Sequence, residues 1–470
     1  MFDSGILKQL AERRISPEEA ERQLALFAHP PAPARLLKPA RVGDGILRLS
    51  DADQGRYERR GSTSVARRAV TKFVPASGAA TRMFKDLLAF QNGAPETEEV
   101  RSVREGRSRF AFGGELEAIA DPLPAILQRY SQKSKGLIPF HRVDGRARTS
   151  FEEQLREAAA FLADAEGRVR LHFTVSPEHR AEYEALYAAL KPALERELGR
   201  TFDTGFSEQD PSTDTLAGGE DLRPFCDEQG RLVFRPGGHG SLIKNLQDLA
   251  ANSGRVVIKN IDNVAHPRFW PEILRWKQIL IGLLDETQEA AFDRLRRLKS
   301  DPAAAGEARG WAESRWGIPA SGNDAAELLH RPLRVCGVVA NAGEPGGGPF
   351  WVDGSGGPSL QIVESAQVDA KDPAQKALFE SSTHFNPVDL ACGLQDEEGK
   401  PYDLSRYVDE RASFVAKKSQ GGKTLLALER PGLWNGTMAG WNTLFVEVPL
   451  ITFNPVKTLS DLLRKEQLPA

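Results

Sequence analysis

Cysteine is scarce in this chain, with Cys226, Cys336 and Cys392 the only three among 470 residues. None stands in a C-x-x-C pair. That excludes a dense disulfide framework and a cysteine-built zinc site, and predicts reduced residues in or near a core. Charge of one sign is scarce too, since 62 Lys and Arg against 65 Asp and Glu leave a net −3. This excludes a nucleic-acid binder that relies on bulk positive potential, but not a local basic pocket for a small anion. Long apolar runs are missing. No stretch nears the ~20 residues that cross a bilayer. The first thirty residues are charged and helix-patterned without an apolar h-region, so the expectation is a cytoplasmic protein with no membrane contact.

Several catalytic signatures are absent as well. The eight histidines show no H-E-x-x-H or other paired metal-ligand spacing, and neither G-x-G-x-x-G nor G-x-S-x-G occurs. "GGKT" at 421–424 invites comparison with a P-loop, but the first glycine of that motif would fall on Lys417. "FVAKKSQGGKTLLALE" reads instead as two strands and a turn.

What is present is an ordinary globular composition, 40% hydrophobic and 27% charged, in a chain long enough for one large α/β domain with additions. Residues 1–65 read as a helical extension. "SPEEAERQL" offers Ser16 as a cap, Pro17 in the first turn, and Glu18 and Glu19 toward the dipole. Over 66–470 a strand–helix rhythm sets in, with strands at "AVTKFVP", "RVRLHFTVS", "RTFDTGFS", "RVVIKNID", "RPLRVCGVVA", "SLQIVES" and "NTLFVEV". Helix-length periodic segments lie between them, which predicts an α/β fold with a mainly parallel sheet and helices on both faces. A polar helical insertion is expected near 285–330.

Ligands of open α/β sheets sit beyond the carboxyl ends of the strands. In "ASGAATR", Ser77, Gly78, Ala79, Ala80 and Thr81 leave backbone amides uncovered at a helix start, and Arg82 adds a fork of donors suited to phosphate. The same pattern also suits a tight turn packed on a neighbour. "IKNIDNV" puts the single carboxylate of Asp262 at the end of a strand, where Mg²⁺ shared with substrate phosphates could be held; a turn cap reads equally well. "RPGGHGS" places Gly238, His239 and Gly240 where backbone groups can approach a flat ligand, or where a loop is merely mobile. Lys135 and Lys457 are unremarkable by spacing alone.

Together these segments resemble the UDP-sugar pyrophosphorylases, a branch of the sugar nucleotidyltransferases. That family's G-G-x-G-T-R-M is similar to "SGAATRM", its lysine after proline to Lys135 in "SKGL", and its P-x-G-H-G to "PGGHG". Its D-N resembles "IDNV", its V-E-Y resembles "IVES", and its F-x-P-V-K-T-x-S-D-L-L resembles "FNPVKTLSDLL". These motifs keep family order over roughly residues 70–464. The chain looks closer still to a bacterial family of domains of unknown function that shares "FVPASGAATRM" and "GEPGGGPFWV".

The resemblance implies a Rossmann-like nucleotide-diphospho-sugar transferase fold of the GT-A type. It implies transfer of a nucleotide, from UTP first of all, to a sugar 1-phosphate with release of pyrophosphate. Arg82, Lys135 and Lys457 would be catalytic and Asp262 would hold Mg²⁺. Residues 77–81 and 238–240 would bind the nucleotide, and Asn263, Glu344, Gly347, Glu364 and Asn386 the sugar. Ser77 and Ala80 replace glycines of the family loop, Ser134 replaces a proline, and Ser241 replaces an acid. These departures motivate the alternative of a non-catalytic nucleotide-sugar binder on the same fold.

Overall fold

Strands rich in Val, Ile and Leu along their whole length belong in a sheet covered on both faces. In the computed structural model, which describes residues 2–78, 80–319, 324–343, 346–354, 357–420 and 422–469, they build one ten-stranded sheet. From edge to edge its strands are Arg41–Val42, Gly45–Leu47, Asn442–Glu447, Leu333–Ala340, Asp389–Gly393, Arg255–Lys259, Val70–Pro75, Arg168–Thr174 and Thr201–Ser207. His384–Phe385 pairs beside Leu333–Ala340. Asp389–Gly393 runs antiparallel to both neighbours on that path, while the other neighbouring pairs along it are parallel.

One face of the sheet is covered by the helices Ser150–Phe161, Pro177–Leu198 and Trp270–Ser300, through Phe151, Leu155, Tyr183, Ile279 and Leu283. The other face packs Phe73, Ile258, Val338 and Phe445 against Leu246, Trp434 and Trp441. A third apolar cluster joins Phe84, Phe110, Ile126 and Phe140 to Val456 and Leu462, and so ties the C-terminal segment to the region after the first buried strand.

The helix starts follow local rules. Ser16 Oγ accepts from Glu19 N at 3.1 Å and Thr149 Oγ1 from Glu152 N at 3.2 Å. Pro177 opens the helix Pro177–Leu198, and Gly199 closes it at φ 61°.

Four expectations are corrected. The first 65 residues are not purely helical, because 41–47 add two short strands to the edge of the central sheet and Leu36–Pro39 pairs with Gly348–Gly354. The helix Asp51–Arg67 lies against Trp270–Ser300 backbone to backbone. A Cβ on Gly61 would stand 1.9 Å from the Gln278 carbonyl oxygen, and one on Gly282 would stand 2.0 Å from that of Tyr57.

The stretch near 285–330 begins as the second half of the 31-residue helix Trp270–Ser300, with Thr287, Gln288, Ala291 and Leu295 buried. Its polar look is misleading because Gln288 spends its amide on the Gln395 carbonyl at 3.3 Å. "SLQIVES" lies outside the main sheet, in a three-stranded sheet with Leu36–Pro39 and Gly348–Gly354. The strand at "RVVIKNID" stops at Lys259, so Asp262 sits in the turn beyond it.

Candidate functional site

The turn after Val70–Pro75 is small for two different reasons. Ala76 and Ala80 are buried. The Ala80 amide donates to the Lys133 carbonyl at 3.1 Å, and Ser134 Oγ donates to that of Ala76 at 3.1 Å. Ser134 Oγ also shares a 2.7 Å hydrogen bond with Tyr183 Oη. Packing therefore explains the two alanines.

Gly78 is another matter. Its φ is not positive, and a Cβ there would meet nothing within 4 Å. Neither conformation nor packing among the described residues demands glycine there. The amides of Ser77 and Gly78 donate to no group among the described residues. Thr81 and Arg82 are exposed, and Arg82 makes no ion pair among the described residues. Ala79 lies outside the described residues.

Beside this turn stand Lys135 and Asp262. Lys135 Nζ donates to Asp262 Oδ2 at 2.8 Å and to the Val456 carbonyl at 2.7 Å. The "NIDN" turn is laced to the "FNPVK" segment. Val456 N donates to the Asp262 carbonyl at 3.1 Å, and Asn454 N donates to Asn263 Oδ1 at 2.8 Å. Asn263 thus acts as a structural acceptor for that segment.

The Asp262 carboxyl is held below its ordinary range. Burial pushes it up, but the ammonium groups of Lys135 and Lys457 outweigh burial. Lys457 itself is exposed, and Asp461 Oδ2 caps the turn it starts by accepting from Lys457 N at 2.6 Å and Thr458 N at 2.8 Å. Residues 76–78, 80, 134–135, 262–263 and 454–457 therefore share one rim at the carboxyl ends of the strands.

A second cluster gathers the remaining candidates. The His239 imidazole stacks on Trp434 with centroids 4.1 Å apart, and its Nδ1 accepts from Leu433 N at 2.9 Å. Burial pushes its pKa down against the opposing pull of Glu364. Trp434 Nε1 donates to Glu364 Oε1 at 3.4 Å. A Cβ on Gly347 would lie 3.1 Å from Glu364 Cγ, and Asn386 N donates to the Gly347 carbonyl at 2.8 Å. Glu364, Gly347 and Asn386 thus stand together; Glu344 lies outside the described residues.

Gly240 is glycine because a Cβ would strike the Pro431 carbonyl oxygen at 1.8 Å. A Cβ on Gly238, at φ 73°, would meet Glu429 Oε2 at an ordinary contact distance of 3.7 Å. The two clusters are bridged by Phe385 and Phe453, whose centroids are 5.0 Å apart. Trp434 went unread in the sequence. Its signal was there, an indole in the glycine-studded "RPGLWNG", but nothing local ties it to His239.

A cavity of about 910 Å³ lies against Trp316, Arg331, Val363, Gln367, Asn435 and Trp441, and so borders the Glu364–Trp434 cluster. Arg331 precedes Leu333–Ala340 and Trp441 precedes Asn442–Glu447, so this cavity opens at the amino ends of those strands, away from the rim. Among the described residues no group of three or more His, Cys, Asp or Glu side chains could hold a metal ion. A metal at the rim would have one carboxylate, that of Asp262. This suits an ion such as Mg²⁺ that takes its remaining ligands from water and substrate phosphates.

The profile of DUF4301, described as a domain of unknown function, matches residues 4–121 and 123–467. The chain belongs to this family. Comparison with curated proteins finds no match. Among solved structures, the chain resembles the uridine diphosphate N-acetylglucosamine pyrophosphorylase of Trypanosoma brucei in complex with an inhibitor. The identity is 15% and the TM-score 0.51, over 98% of this chain and 79% of that one.

A UDP-glucose pyrophosphorylase variant from Leishmania major, in complex with UDP-glucose, gives 13% and 0.50 over 98% and 79%. A Trypanosoma brucei UDP-glucose phosphorylase gives 14% and 0.50 over 98% and 80%. At such identities the likeness establishes the fold, which is that of the UDP-sugar pyrophosphorylases. No helix among the described residues is long and apolar enough to cross a membrane.

Proposed function

We propose that this DUF4301 protein is a nucleotidyltransferase that joins a nucleoside triphosphate, UTP first of all, to a sugar 1-phosphate and releases pyrophosphate. The observation that carries this reading is the meeting of Lys135, Asp262 and Lys457 beside the turn that begins at Ala76. Three segments far apart in sequence set two lysines around one buried carboxylate there, near Arg82 and the Ser77 and Gly78 amides, which donate to no group among the described residues.

In the transfer, a phosphate oxygen of the sugar phosphate attacks the α-phosphorus of the triphosphate. The bond to the bridging oxygen breaks, and pyrophosphate leaves with the electron pair. Such a reaction asks the protein mainly to hold two polyanions in line and to neutralise charge. The amides of Ser77 and Gly78 and the Arg82 guanidinium would take the triphosphate. Lys135 and Lys457 would balance charge on the leaving pyrophosphate and the incoming phosphate. Gly238, His239 and Gly240, with Trp434 behind the imidazole, would face the base, and Gly347, Glu364 and Asn386 the sugar. Asp262 would hold Mg²⁺, which when bound supplies further neutralisation of the phosphates.

The test is pyrophosphate release from a panel of nucleoside triphosphates and sugar 1-phosphates with Mg²⁺. The wild type should turn over at least one pair. Asp262→Asn and Lys457→Ala, verified as folded, should lose at least about 100-fold in kcat/KM, about 2.7 kcal/mol of transition-state stabilisation. Unchanged rates in both variants would refute the assignment.

A second reading, a nucleotide-sugar binder without turnover, is favoured by the Ala80 amide, which is already bonded to Lys133 and so withdrawn from a phosphate cradle. It predicts binding of UDP-sugar but no exchange of pyrophosphate into it.

A further inference from the structure

The turn that carries Asp262 is held from beneath by one helix. Ser150, Gln154 and Glu157 stand at i, i+4 and i+7 of Ser150–Phe161 and so form a single stripe. All three are polar and all three are at most 1% exposed. Their polar groups converge on consecutive residues of the chain. Glu157 Oε2 accepts from Lys259 Nζ at 2.6 Å. Gln154 Nε2 donates to the Asn260 carbonyl at 2.9 Å and to that of Ile261 at 3.3 Å. Ser150 Oγ donates to the Ile261 carbonyl as well. The next residue is Asp262.

A buried polar stripe that serves only packing would be replaceable by apolar side chains. In this one Ser150 Oγ, Gln154 Nε2 and Glu157 Oε2 each meet the backbone or the lysine of 259–261, while Gln154 Oε1 has no partner among the described residues. We propose that Ser150, Gln154 and Glu157 are positioning residues that fix the 259–261 turn and thereby aim the Asp262 carboxylate at the rim. None of the three has been placed against substrate, so their influence runs through Asp262. The inference rests on reading Asp262 as the residue that holds metal and phosphate.

The test compares the full chain with Gln154→Met, which keeps side-chain length and removes both donors. Leu155→Val, in the apolar cluster one residue along the helix, serves as a control that loosens packing without touching the turn. Amide exchange of the peptide spanning 259–264 should speed up in Gln154→Met while other sheet peptides hold their rates. Unchanged exchange there would overturn the positioning role outright.

By calorimetry, the affinity for magnesium pyrophosphate should fall about tenfold in Gln154→Met at unchanged stoichiometry. In Leu155→Val, Tm should fall and affinity should stay. Equal affinity in wild type and Gln154→Met would overturn the claim that the stripe serves the site. If wild type bound no magnesium pyrophosphate at all, the reading of Asp262 would fall, and the exchange result would still decide whether the stripe holds the turn.

Discussion

Removing the Glu157 carboxylate is the sharpest stability experiment this fold offers. Glu157 is 1% exposed and accepts from Lys72 Nζ at 2.9 Å and Lys259 Nζ at 2.6 Å, themselves 1% and 2% exposed. A third buried lysine, Lys277, pairs with Asp389 close by. Three buried cations thus face two buried anions.

Burial alone would push the Glu157 carboxyl up. Lys259, Lys72 and Lys277 outweigh it and bring the carboxyl from 4.5 down to about 2. Between unfolded and folded chain that difference is worth about 3 kcal/mol at neutral pH, at about 1.4 kcal/mol per unit. It falls within the range for breaking a buried pair from one side. Glu157→Gln should therefore lose about 3 kcal/mol at pH 7, a large share of the 5–15 kcal/mol typical of a folded domain.

The deficit should itself depend on pH. The folded pKa of Glu157 is depressed, so its contribution is complete above about 4.5 and is lost as pH falls toward 2. On the alkaline side, burial brings Lys72 from 10.5 to about 8. Above that value the folded state holds less positive charge for Glu157 to neutralise, and the deficit should shrink. Urea unfolding of wild type and Glu157→Gln at pH 5, 7 and 9.5 reads this directly. The deficit should be full at the first two and reduced at the third. Adding Lys72→Met to Glu157→Gln should recover part of the loss, because the double variant buries one fewer unpaired cation. A deficit below about 1 kcal/mol at pH 7, or one as large at 9.5 as at 7, would refute the account.

Further outcomes are expected elsewhere. Gly282→Ala would drive a methyl into the Tyr57 carbonyl, backbone against backbone. It should cost about 3 kcal/mol by thermal or urea unfolding. His172 is kept neutral by burial, which takes its pKa from 6.5 to about 4 against a weaker opposing pull from Asp248. Stability should be complete above pH 6.5 and fall by about 3 kcal/mol as pH drops toward 4; unfolding of His172→Gln over the same range should show a flatter acid limb. Gly240→Ala must move the loop off Pro431, so UTP affinity by calorimetry should drop while Asp262→Asn keeps its own, separate defect.

The order of strands and helices was legible because its signals are local. Hydrophobic runs such as "RPLRVCGVVA", and caps such as Ser16 and Thr149, act within a few residues. The strand Asp389–Gly393 was missed. "DLACG" is five residues with no alternation, and it becomes a strand only because two longer neighbours flank it. The helix Trp270–Ser300 looked like a polar insertion beyond residue 285. The partners that satisfy its buried Gln288 and Asp285 lie on distant segments, at Gln395 and Arg255.

The site divides in the same way. Local patterning predicted a large α/β protein with small and ionic residues in the turns after its strands, because periodicity and glycine content are properties of short windows. Only the tertiary structure decided that Lys135 reaches Asp262, that His239 lies on Trp434, and that a stripe on Ser150–Phe161 supports the Asp262 turn. Those contacts join residues 127, 195 and 106 positions apart or more nearly so. Over such separations nothing in the chain itself sets which groups meet. The stacking of helices on the sheet does.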